Sequence, residues 1–409
     1  MKIAMFTDSY LPRINGVSIS VNSYAEELSA LGNQILIVCC DYNSNQTNPK
    51  NGKSYIEETS DPNITIFRVS SLSVILSKED KLAKVTQWQK IKNQLNIFQP
   101  DLIHINSEFT IGLSGLIYGR FKYIPIVFTF HTLWEEYASN YMKYIPAPVA
   151  RKLGRDVVKH YLKHADEIIV PTKRIANVVK RYGIDKDVDI LPTGIPKYVH
   201  TIEEEKLNSF NNKMDKLFPT AKNKKRLLYV GRIAAEKNLD FLISSFEMLQ
   251  ETDPDTVLFF VGNGPDFDNL RQTASQSKFN NKIFFTGYCD REDLPYFYYS
   301  ANVFVFPSVT ETQGLVTIEA MMSGTPVVAI GEMGTYDVMH GDNGGFMVPN
   351  DLKIFTEKVH ILLTDKDIYK QKSQEAIEWS KKWSIKNLTP KLITYYKKGI
   401  EKRKNRTKK

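Results

Sequence analysis

Short apolar runs alternate with longer amphipathic stretches along most of the chain. The runs have the length and composition of strands that are buried on both faces, and the stretches between them have the period of helices. Such alternation is typical of a parallel α/β sheet. The predicted strands are 3–6, 35–40, 64–69, 102–105, 126–130, 167–170 and 188–191 in the first half, and 226–230, 256–261, 282–286, 303–306, 326–330 and 345–348 in the second.

A segment without a strong period, 193–225, separates these two sets of strands. Its prolines, asparagines and mixed charges favour a connection between two Rossmann-like domains. With 409 residues the chain is long enough for two or three domains. We predict an N-terminal domain over 1–195, a C-terminal domain over 196–384, and a final helix with a basic tail over 385–409.

The most informative segment holds two acidic residues, Glu311 and Glu319, with Gly314 between them. The apolar run before it predicts a buried strand, and 315–322 predicts a helix that ends at a serine and a glycine. Glu311 then lies on a strand-to-helix loop, and Glu319 lies just over one turn into the helix. Free N–H groups at a helix N-terminus bind phosphate, and carboxylates bind hydroxyl groups. The arrangement therefore suits a nucleotide-sugar.

This segment resembles the E-x7-E signature of retaining glycosyltransferases of the GT-B fold, specifically glycosyltransferase family 4. Four further blocks resemble motifs of that family in the same order, and they are the loop 8–17, the histidine turn 130–132, the basic motif 231–238 and the turn 261–265. The resemblance implies two Rossmann-like domains that face a deep crevice, with the last helix packed back on the first domain. The wording Glu-Thr-Gln-Gly-Leu at 311–315 is most similar to enzymes that glycosylate diacylglycerol.

The resemblance also implies donor-binding roles for basic and glycine residues. Arg232 and Lys237 match the pair that binds the diphosphate, where arginine supplies a bidentate clamp and lysine a point charge. Without that context they would be a solvated pair. Gly16 follows the first strand, and it either lets backbone N–H groups approach the ligand or forms a plain turn. Gly262 and Gly264 could be the start of a dinucleotide fingerprint, but Phe267 stands where its third glycine would be, so we reject NAD binding. We assign Gly264 to a tight turn near the nucleotide instead.

The acidic block supplies the remaining contacts to the donor. By resemblance, Glu319 bonds the ribose hydroxyls and Glu311 the hydroxyls of the donor sugar. The N–H groups near Gln313, Gly314 and Leu315 meet the phosphates. A purely structural alternative for Glu311 is to cap the helix.

His131 follows an apolar run, and in isolation it would be a buried structural histidine. The family places its equivalent near the reacting sugar, so we assign His131 to transition-state support or acceptor positioning. The sequence offers no clear nucleophile. For retaining enzymes of this kind, the acceptor attacks from the face that the phosphate leaves, and the leaving phosphate can take the acceptor proton.

We predict that no metal or other cofactor is required. Asp187 and Asp189, like Asp253 and Asp255, mimic a D-x-D motif, but the first pair enters a short strand and the second a turn. Basic residues are available for the diphosphate instead. The three cysteines fit a reducing compartment, as inert core thiols.

Basic residues are unevenly spread, and most of the net charge of +8 lies in the segment 396–409. A second basic cluster falls within one arc of a predicted helix, and its members are Arg151, Lys152, Arg155, Lys159 and Lys163. Leu153, Val157 and Tyr161 lie on the opposing side. Both features predict contact with an anionic membrane surface, the alternative being a solvated helix and tail. A nucleic-acid binder would spread its charge over the folded surface, so we predict no nucleic-acid partner.

The N-terminus meets a charge too early for a signal peptide, and no apolar run approaches the ~20 residues of a membrane span. We therefore expect a cytoplasmic protein, peripheral on the inner face of the cell membrane. The expected function is retaining transfer of a hexose from a nucleotide-sugar, best UDP-glucose, to a lipid such as 1,2-diacylglycerol. The alternatives are a glycosyltransferase, mannosyl transfer included, that acts on a polysaccharide or lipopolysaccharide intermediate, and a basic lipid- or nucleic-acid-binding module.

Overall fold

The computed structural model describes residues 1–42, 53–74, 77–132, 146–195, 202–290, 292–310, 313–339 and 343–407. The chain divides into two compact units, Met1–Gly194 with Ile385–Lys409, and Ile195–Ser384. In each unit helices connect parallel strands, so the predicted α/β class is confirmed.

The first unit contains the strands β1 (Lys2–Thr7), β2 (Gln34–Cys40), β3 (Tyr55–Glu57), β4 (Ile64–Val69), β5 (Ser71–Val74), β6 (Ser77–Ala83), β7 (Leu102–Ile105), β8 (Ile126–Thr129), β9 (Glu167–Val170) and β10 (Asp189–Ile190). Its helices are α1 (Gly16–Ala30), α2 (Trp88–Phe98), α3 (Thr110–Phe121), α4 (Ala147–His164) and α5 (Lys173–Arg181).

The second unit contains the strands β11 (Lys225–Val230), β12 (Thr256–Val261), β13 (Ile283–Gly287), β14 (Val303–Phe306), β15 (Val327–Ile330) and β16 (Gly345–Val348). Its helices are α6 (Glu204–Leu217), α7 (Leu239–Leu249), α8 (Phe267–Gln276), α9 (Leu294–Ser300), α10 (Leu315–Met322), α11 (Met333–Met339), α12 (Leu352–Thr364) and α13 (Lys366–Ser380). The last helix, α14 (Ile385–Thr407), belongs to the first unit.

The sheet of the first unit has the strand order β10-β9-β8-β7-β1-β2-β4-β3, and only β3 runs antiparallel to its neighbour. Side chains of β1 alternate between its two faces. Ile3 and Met5 are buried in the core that includes residues of α1, whereas Ala4 and Phe6 are buried in the core beneath α3 and α4. Helices thus cover the sheet on both sides, which is why its strands read as unbroken apolar runs.

The sequence did not predict β3 or the separate hairpin of β5 and β6. The β6 segment reads Ser-Lys-Glu-Asp-Lys-Leu-Ala, which has no apolar face. Its pairing with β5 is made by backbone hydrogen bonds, which leave no trace in a hydrophobic pattern.

The sheet of the second unit has the order β13-β12-β11-β14-β15-β16, and all its strands are parallel. This is the Rossmann order, in which the direction of winding reverses between β11 and β14. The segment 193–225 contains the boundary between the units, as predicted, but the sequence did not predict α6, which occupies 14 of its residues. Phe210 and Met214, one turn apart, bury α6 in the core of this unit, and the ring of Phe210 meets that of Phe297 edge-on at 4.8 Å.

Helix α14 packs on the first unit beside α1, as predicted. Leu388, Leu392 and Tyr396 are buried in the core that α1 also lines. The hydroxyl of Tyr396 lies 2.8 Å from Nδ1 of His104 on β7, so the last helix contacts the sheet itself.

The basic tail is largely a continuation of this helix. Lys398 bonds Asp189 at 2.7 Å, Lys402 lies 3.0 Å from a carboxylate oxygen of Glu167, and Arg406 bonds Asp166 at 2.8 Å. These cations neutralise carboxylates within the unit, two of which, Glu167 and Asp166, are buried. The sequence did not predict these partners, and contact of the tail with a membrane stays a prediction. Among the described residues, no helix is long and apolar enough to cross a bilayer.

Candidate active site

The predicted donor-binding residues of the second unit gather at one edge of its sheet. Ligands of such sheets bind beyond the carboxyl ends of the strands, where the strand order reverses. The loops that follow β11 and β14 meet there. Oγ1 of Thr310 donates to the carbonyl of Glu236 at 3.2 Å, and the side-chain amide of Asn238 donates to the carbonyl of Pro307 at 3.4 Å.

Helix α10 begins at this edge without a side-chain cap. Its N-cap residue, Gly314, has φ of +69°, a left-handed conformation that glycine adopts without strain. Because glycine has no side chain, it cannot satisfy the first N–H groups of the helix, including that of Leu315. Gln313 is buried beside it. Such a helix N-terminus is suited to an anion. The phosphate-binding role of these residues stays a prediction.

Glu319 lies one turn inside α10 and is almost fully buried. Its Oε2 accepts a hydrogen bond of 2.7 Å from the hydroxyl of Tyr298 on α9. Tyr298 is itself inaccessible to solvent, so the contact orients the carboxylate. Sequence reasoning missed Tyr298, because it lies in an aromatic run with no motif of its own and its partner is selected by the packing of α9 on α10.

The basic loop, residues 231–238 after β11, contains two cationic side chains that differ in exposure. Lys237 is buried, in a single turn of 3-10 helix, Ala235–Lys237. The side chain of Arg232 is half exposed and forms an ion pair with Glu236. An exposed ion pair contributes little free energy, so an anionic ligand can displace Glu236 at small cost.

Gly264 supports the basic loop through close backbone packing. A Cβ atom added at Gly264 would lie 2.1 Å from the carbonyl oxygen of Ile233, and one added at Gly262 would lie 2.0 Å from that of Gly231. The two loops therefore touch backbone to backbone, and Ile233 N–H donates to the carbonyl of Asn263 at 3.0 Å. The tight turn predicted here thus has a structural reason.

In the first unit the strand order reverses between β1 and β7. Asp8, which follows β1, forms hydrogen bonds with residues that follow β7. Oδ2 of Asp8 accepts from the hydroxyl of Ser107 at 2.6 Å, and Oδ1 accepts from the N–H of Ile111 at 3.0 Å. Burial raises the pKa of Asp8.

Gly16 was predicted to lie in the turn after the first strand. In the structure it is the first residue of α1, after the N-cap Asn15.

His131 lies just beyond β8, partly exposed at the same edge of the first unit. Its Nε2 lies 3.0 Å from Oδ1 of Asn106, which follows β7. Burial lowers the pKa of His131 to about 4, so the imidazole is neutral at physiological pH. Asn106 is a second site residue that the sequence did not single out.

Glu311 lies outside the described residues. Three of the four aspartates that mimic a metal motif have other partners, since Asp189 bonds Lys398, Asp253 lies 2.5 Å from Nδ1 of His360, and Asp255 pairs with Lys224. In the part of the chain that the structure describes, no group of three or more histidines, cysteines and acids could hold a metal ion. Metal independence stays a prediction.

The predicted basic helix is α4. Arg151, Lys152 and Lys163 are exposed, and Arg155 and Lys159 are partly exposed. The buried side of α4 consists of Ala150, Gly154, Val158, Tyr161 and Leu162. The prediction placed Leu153 and Val157 on the same side as Tyr161. In the structure Tyr161 is buried, whereas Leu153 and Val157 are nearly half exposed.

Two family models match the chain. Residues 14–197 match Glycosyltransferase Family 4, and residues 211–382 match Glycosyl transferases group 1. Among solved structures, sucrose-phosphate synthase from Thermosynechococcus elongatus aligns with a TM-score of 0.73 at 21% identity, covering 97% of this chain and 98% of that one. HepE from Anabaena in complex with UDP-glucose aligns with a TM-score of 0.72 at 16% identity, covering 96% and 98%.

The chain therefore belongs to the family 4 glycosyltransferases of the GT-B fold. It resembles the alpha-monoglucosyldiacylglycerol synthases of Acholeplasma laidlawii, at 28% identity over 88% of both chains, and of Streptococcus pneumoniae, at 27% identity over 81% of this chain and 71% of the other. A GDP-mannose-dependent alpha-mannosyltransferase of Mycobacterium tuberculosis is 25% identical over 85% of this chain and 84% of its own.

Proposed function

We propose that this glycosyltransferase transfers glucose from UDP-glucose, with retention of configuration, to a membrane lipid such as 1,2-diacylglycerol. The observation that carries the proposal is the uncapped N-terminus of α10 at Gly314, with Glu319 one turn inside it and the basic loop of Arg232 and Lys237 at the same sheet edge. These groups match a nucleoside diphosphate, since N–H groups and cations bind phosphate and a carboxylate binds ribose hydroxyls.

The proposed chemistry needs no protein nucleophile. The bond between the anomeric carbon and the phosphate oxygen breaks, and a bond from the same carbon to the acceptor oxygen forms on the same face. The acceptor proton passes to the leaving phosphate. Lys237 and Arg232 stabilise the charge that grows on the diphosphate. His131 supports the transition state or positions the acceptor, and Glu311 contacts the hydroxyls of the donor sugar.

Two adjacent helices of the first unit support a membrane acceptor. On α3 the apolar side chains Leu113, Ile117 and Phe121 recur every fourth residue and are exposed. The hydroxyl of Tyr161 on α4 donates to the carbonyl of Phe109 at the start of α3, at 3.1 Å, which joins the two helices. Exposed apolar stripes next to a basic arc fit an anionic lipid surface.

A second candidate is transfer of a different sugar, such as mannose, to a polysaccharide or lipopolysaccharide intermediate. The similarity to a mannosyltransferase favours this reading. Both candidates use the same donor-site chemistry, so donor and acceptor identity must be measured together.

The test is a panel of labelled UDP-glucose, UDP-galactose and GDP-mannose, each with diacylglycerol vesicles or with a soluble oligosaccharide. We expect α-linked glucosyldiacylglycerol from UDP-glucose alone. Most of the rate should survive excess EDTA, because basic side chains and helix N–H groups serve the diphosphate. A product only with GDP-mannose or a soluble glycan would contradict the proposal, and a loss that added Mg²⁺ or Mn²⁺ restores would contradict metal independence.

Membrane binding should depend on anionic lipid. Each lysine or arginine near an anionic leaflet contributes about 1 kcal/mol, so reversing Arg151, Arg155 and Lys159 to glutamate should lower vesicle partitioning by more than tenfold. Screening by salt should have the same effect. Sedimentation with vesicles of phosphatidylglycerol or phosphatidylcholine measures both effects.

The matched control carries the same number of reversals, at the exposed Lys353, Lys366 and Lys370 of the second unit. This control should bind vesicles like the unmodified protein. Equal losses in the two triple variants would mean that total charge, and not the α4 surface, governs binding. Equal binding to both lipids would remove the support for a peripheral-membrane enzyme.

A further inference from the structure

Asn106 contacts both a neighbouring strand and the proposed catalytic histidine. It is the first residue after β7, it is buried, and its backbone N–H donates to the carbonyl of Phe6 at 2.8 Å. The side-chain Nδ2 donates to the carbonyl of His104 at 3.4 Å. The opposite end of the amide, Oδ1, lies 3.0 Å from Nε2 of His131.

These two contacts determine which way the amide faces. If it were reversed, Oδ1 would face the carbonyl oxygen of His104, and two acceptors would oppose each other. With Oδ1 toward His131, the amide oxygen can only accept, so Nε2 must carry the proton. A neutral imidazole has one ring proton, which leaves the lone pair of Nδ1 available as an acceptor.

The surroundings keep His131 neutral and Asn106 fixed. Burial lowers the pKa of His131. Burial and, to a smaller extent, the neighbouring His131 lower the pKa of His104 to about 3. His104 is held between two hydroxyl groups, with Nε2 2.7 Å from Oγ1 of Thr129 and Nδ1 2.8 Å from the hydroxyl of Tyr396. The strand end that carries Asn106 is therefore anchored from β8 and from α14.

We propose that Asn106 is a positioning residue that holds His131 in the Nε2–H tautomer, so that Nδ1 accepts a hydrogen bond from a hydroxyl group of the bound sugar or acceptor. The proposal rests on the proposed function for the identity of the hydroxyl donor. It gives His131 the role of an acceptor and excludes a role as a proton donor through Nδ1.

The tautomer can be measured without any activity. The 409-residue chain, labelled with 15N-histidine, has seven histidines, and His131→Gln identifies the resonances of His131. We expect the Nε2–H pattern at neutral pH, with no protonation until the pH is well below 6. An Nδ1–H pattern, or an imidazolium at neutral pH, would overturn the proposal.

Two variants separate positioning from general structural support. Asn106→Asp keeps an acceptor and adds a negative charge, so His131 should retain its Nε2 proton and protonate at a pH at least one unit higher. Asn106→Leu removes the acceptor, so the tautomers should mix and kcat should fall about tenfold, the effect of one lost hydrogen bond. Unchanged His131 resonances in both variants would overturn the proposal.

The matched control is Asn96→Leu, which removes an amide that accepts from the hydroxyl of Tyr118 at 3.0 Å elsewhere in the first unit. The control should leave the His131 resonances unchanged. Equal changes in the Asn96→Leu and Asn106→Leu proteins would show a structural effect only.

Ligand addition tests the second half of the proposal. If the hydroxyl belongs to the donor sugar, saturating UDP-glucose, but not UDP, should shift the Nδ1 resonance of His131 in the direction expected when a nitrogen accepts a hydrogen bond. If the hydroxyl belongs to the acceptor, diacylglycerol micelles added with UDP should cause the same shift. No shift under any of these conditions, in a protein that turns over UDP-glucose, would overturn the acceptor role. If the protein uses no UDP-sugar, the proposed function fails, while the tautomer spectra still decide the role of Asn106.

Discussion

Replacing Lys237 by methionine is expected to lower kcat/KM for the nucleotide-sugar by about 10- to 100-fold, since a charge-assisted hydrogen bond contributes about 1.5–3 kcal/mol. Methionine keeps the apolar stem that is buried in the loop, so the fold should persist. The loss arises because the departing diphosphate is more negative in the transition state than in the ground state. Steady-state kinetics with UDP-glucose and diacylglycerol vesicles measures it.

The matched control is Lys224→Met, because Lys224 immediately precedes β11 and lies at the opposite end of the same strand. Its ion pair with the exposed Asp255 is therefore separated from the basic loop by the length of β11. The control should retain full activity, whereas Arg232→Ala should lose at least tenfold, like Lys237→Met. Near-normal activity of both the Arg232 and Lys237 variants would contradict the assignment of the diphosphate site.

The largest expected effect on stability is that of Gly262→Ala. The new Cβ would lie 2.0 Å from the carbonyl oxygen of Gly231, and the residue has φ of +136°, which disfavours any side chain. Because the obstacle is backbone, the two loops must separate, and the free energy of unfolding should fall by about 2–5 kcal/mol. Urea denaturation followed by circular dichroism and tryptophan fluorescence measures the change.

Gly287 supplies a control that separates steric overlap from backbone strain. It also has positive φ, +71°, but an added Cβ would meet no atom within 4 Å. It is adjacent in space, because Gly262 N–H donates to its carbonyl at 2.9 Å. Gly287→Ala should cost only about 1–2 kcal/mol, the cost of a left-handed residue. Equal losses in the two variants would show that the contact with Gly231 is not the cause.

Most strands and the donor edge of the second unit could be predicted from sequence, for a definite reason. A strand buried between two helical layers must be apolar throughout, so β12 and β14 are visible as unbroken runs. The turns after such strands require residues with special conformations, which marks Gly231 and Gly314. Two elements that lack these signals were not predicted. They are the charged strand β6 and the helix α6, which has few apolar positions.

The charge of the C-terminal segment shows the limit of composition as a guide. The sequence indicates a surplus of cations but not their partners. The structure pairs Lys402 with Glu167 and Arg406 with Asp166, buried carboxylates at the start of β9 that lie more than 200 positions earlier. A surplus that suggested a membrane tail is thus partly a set of internal ion pairs.

The sequence alone determined the α/β class and the positions of most strands, because these depend on local apolar runs. The return of the last helix and the residues of the donor edge followed from the resemblance of the motifs to family 4. Only the tertiary structure decided which side chains orient the functional ones. Tyr298 reaches Glu319 across two helices, and Asn106 reaches His131 across two strand ends. Such pairs are more than 20 residues apart and are brought together by packing, which no local period encodes.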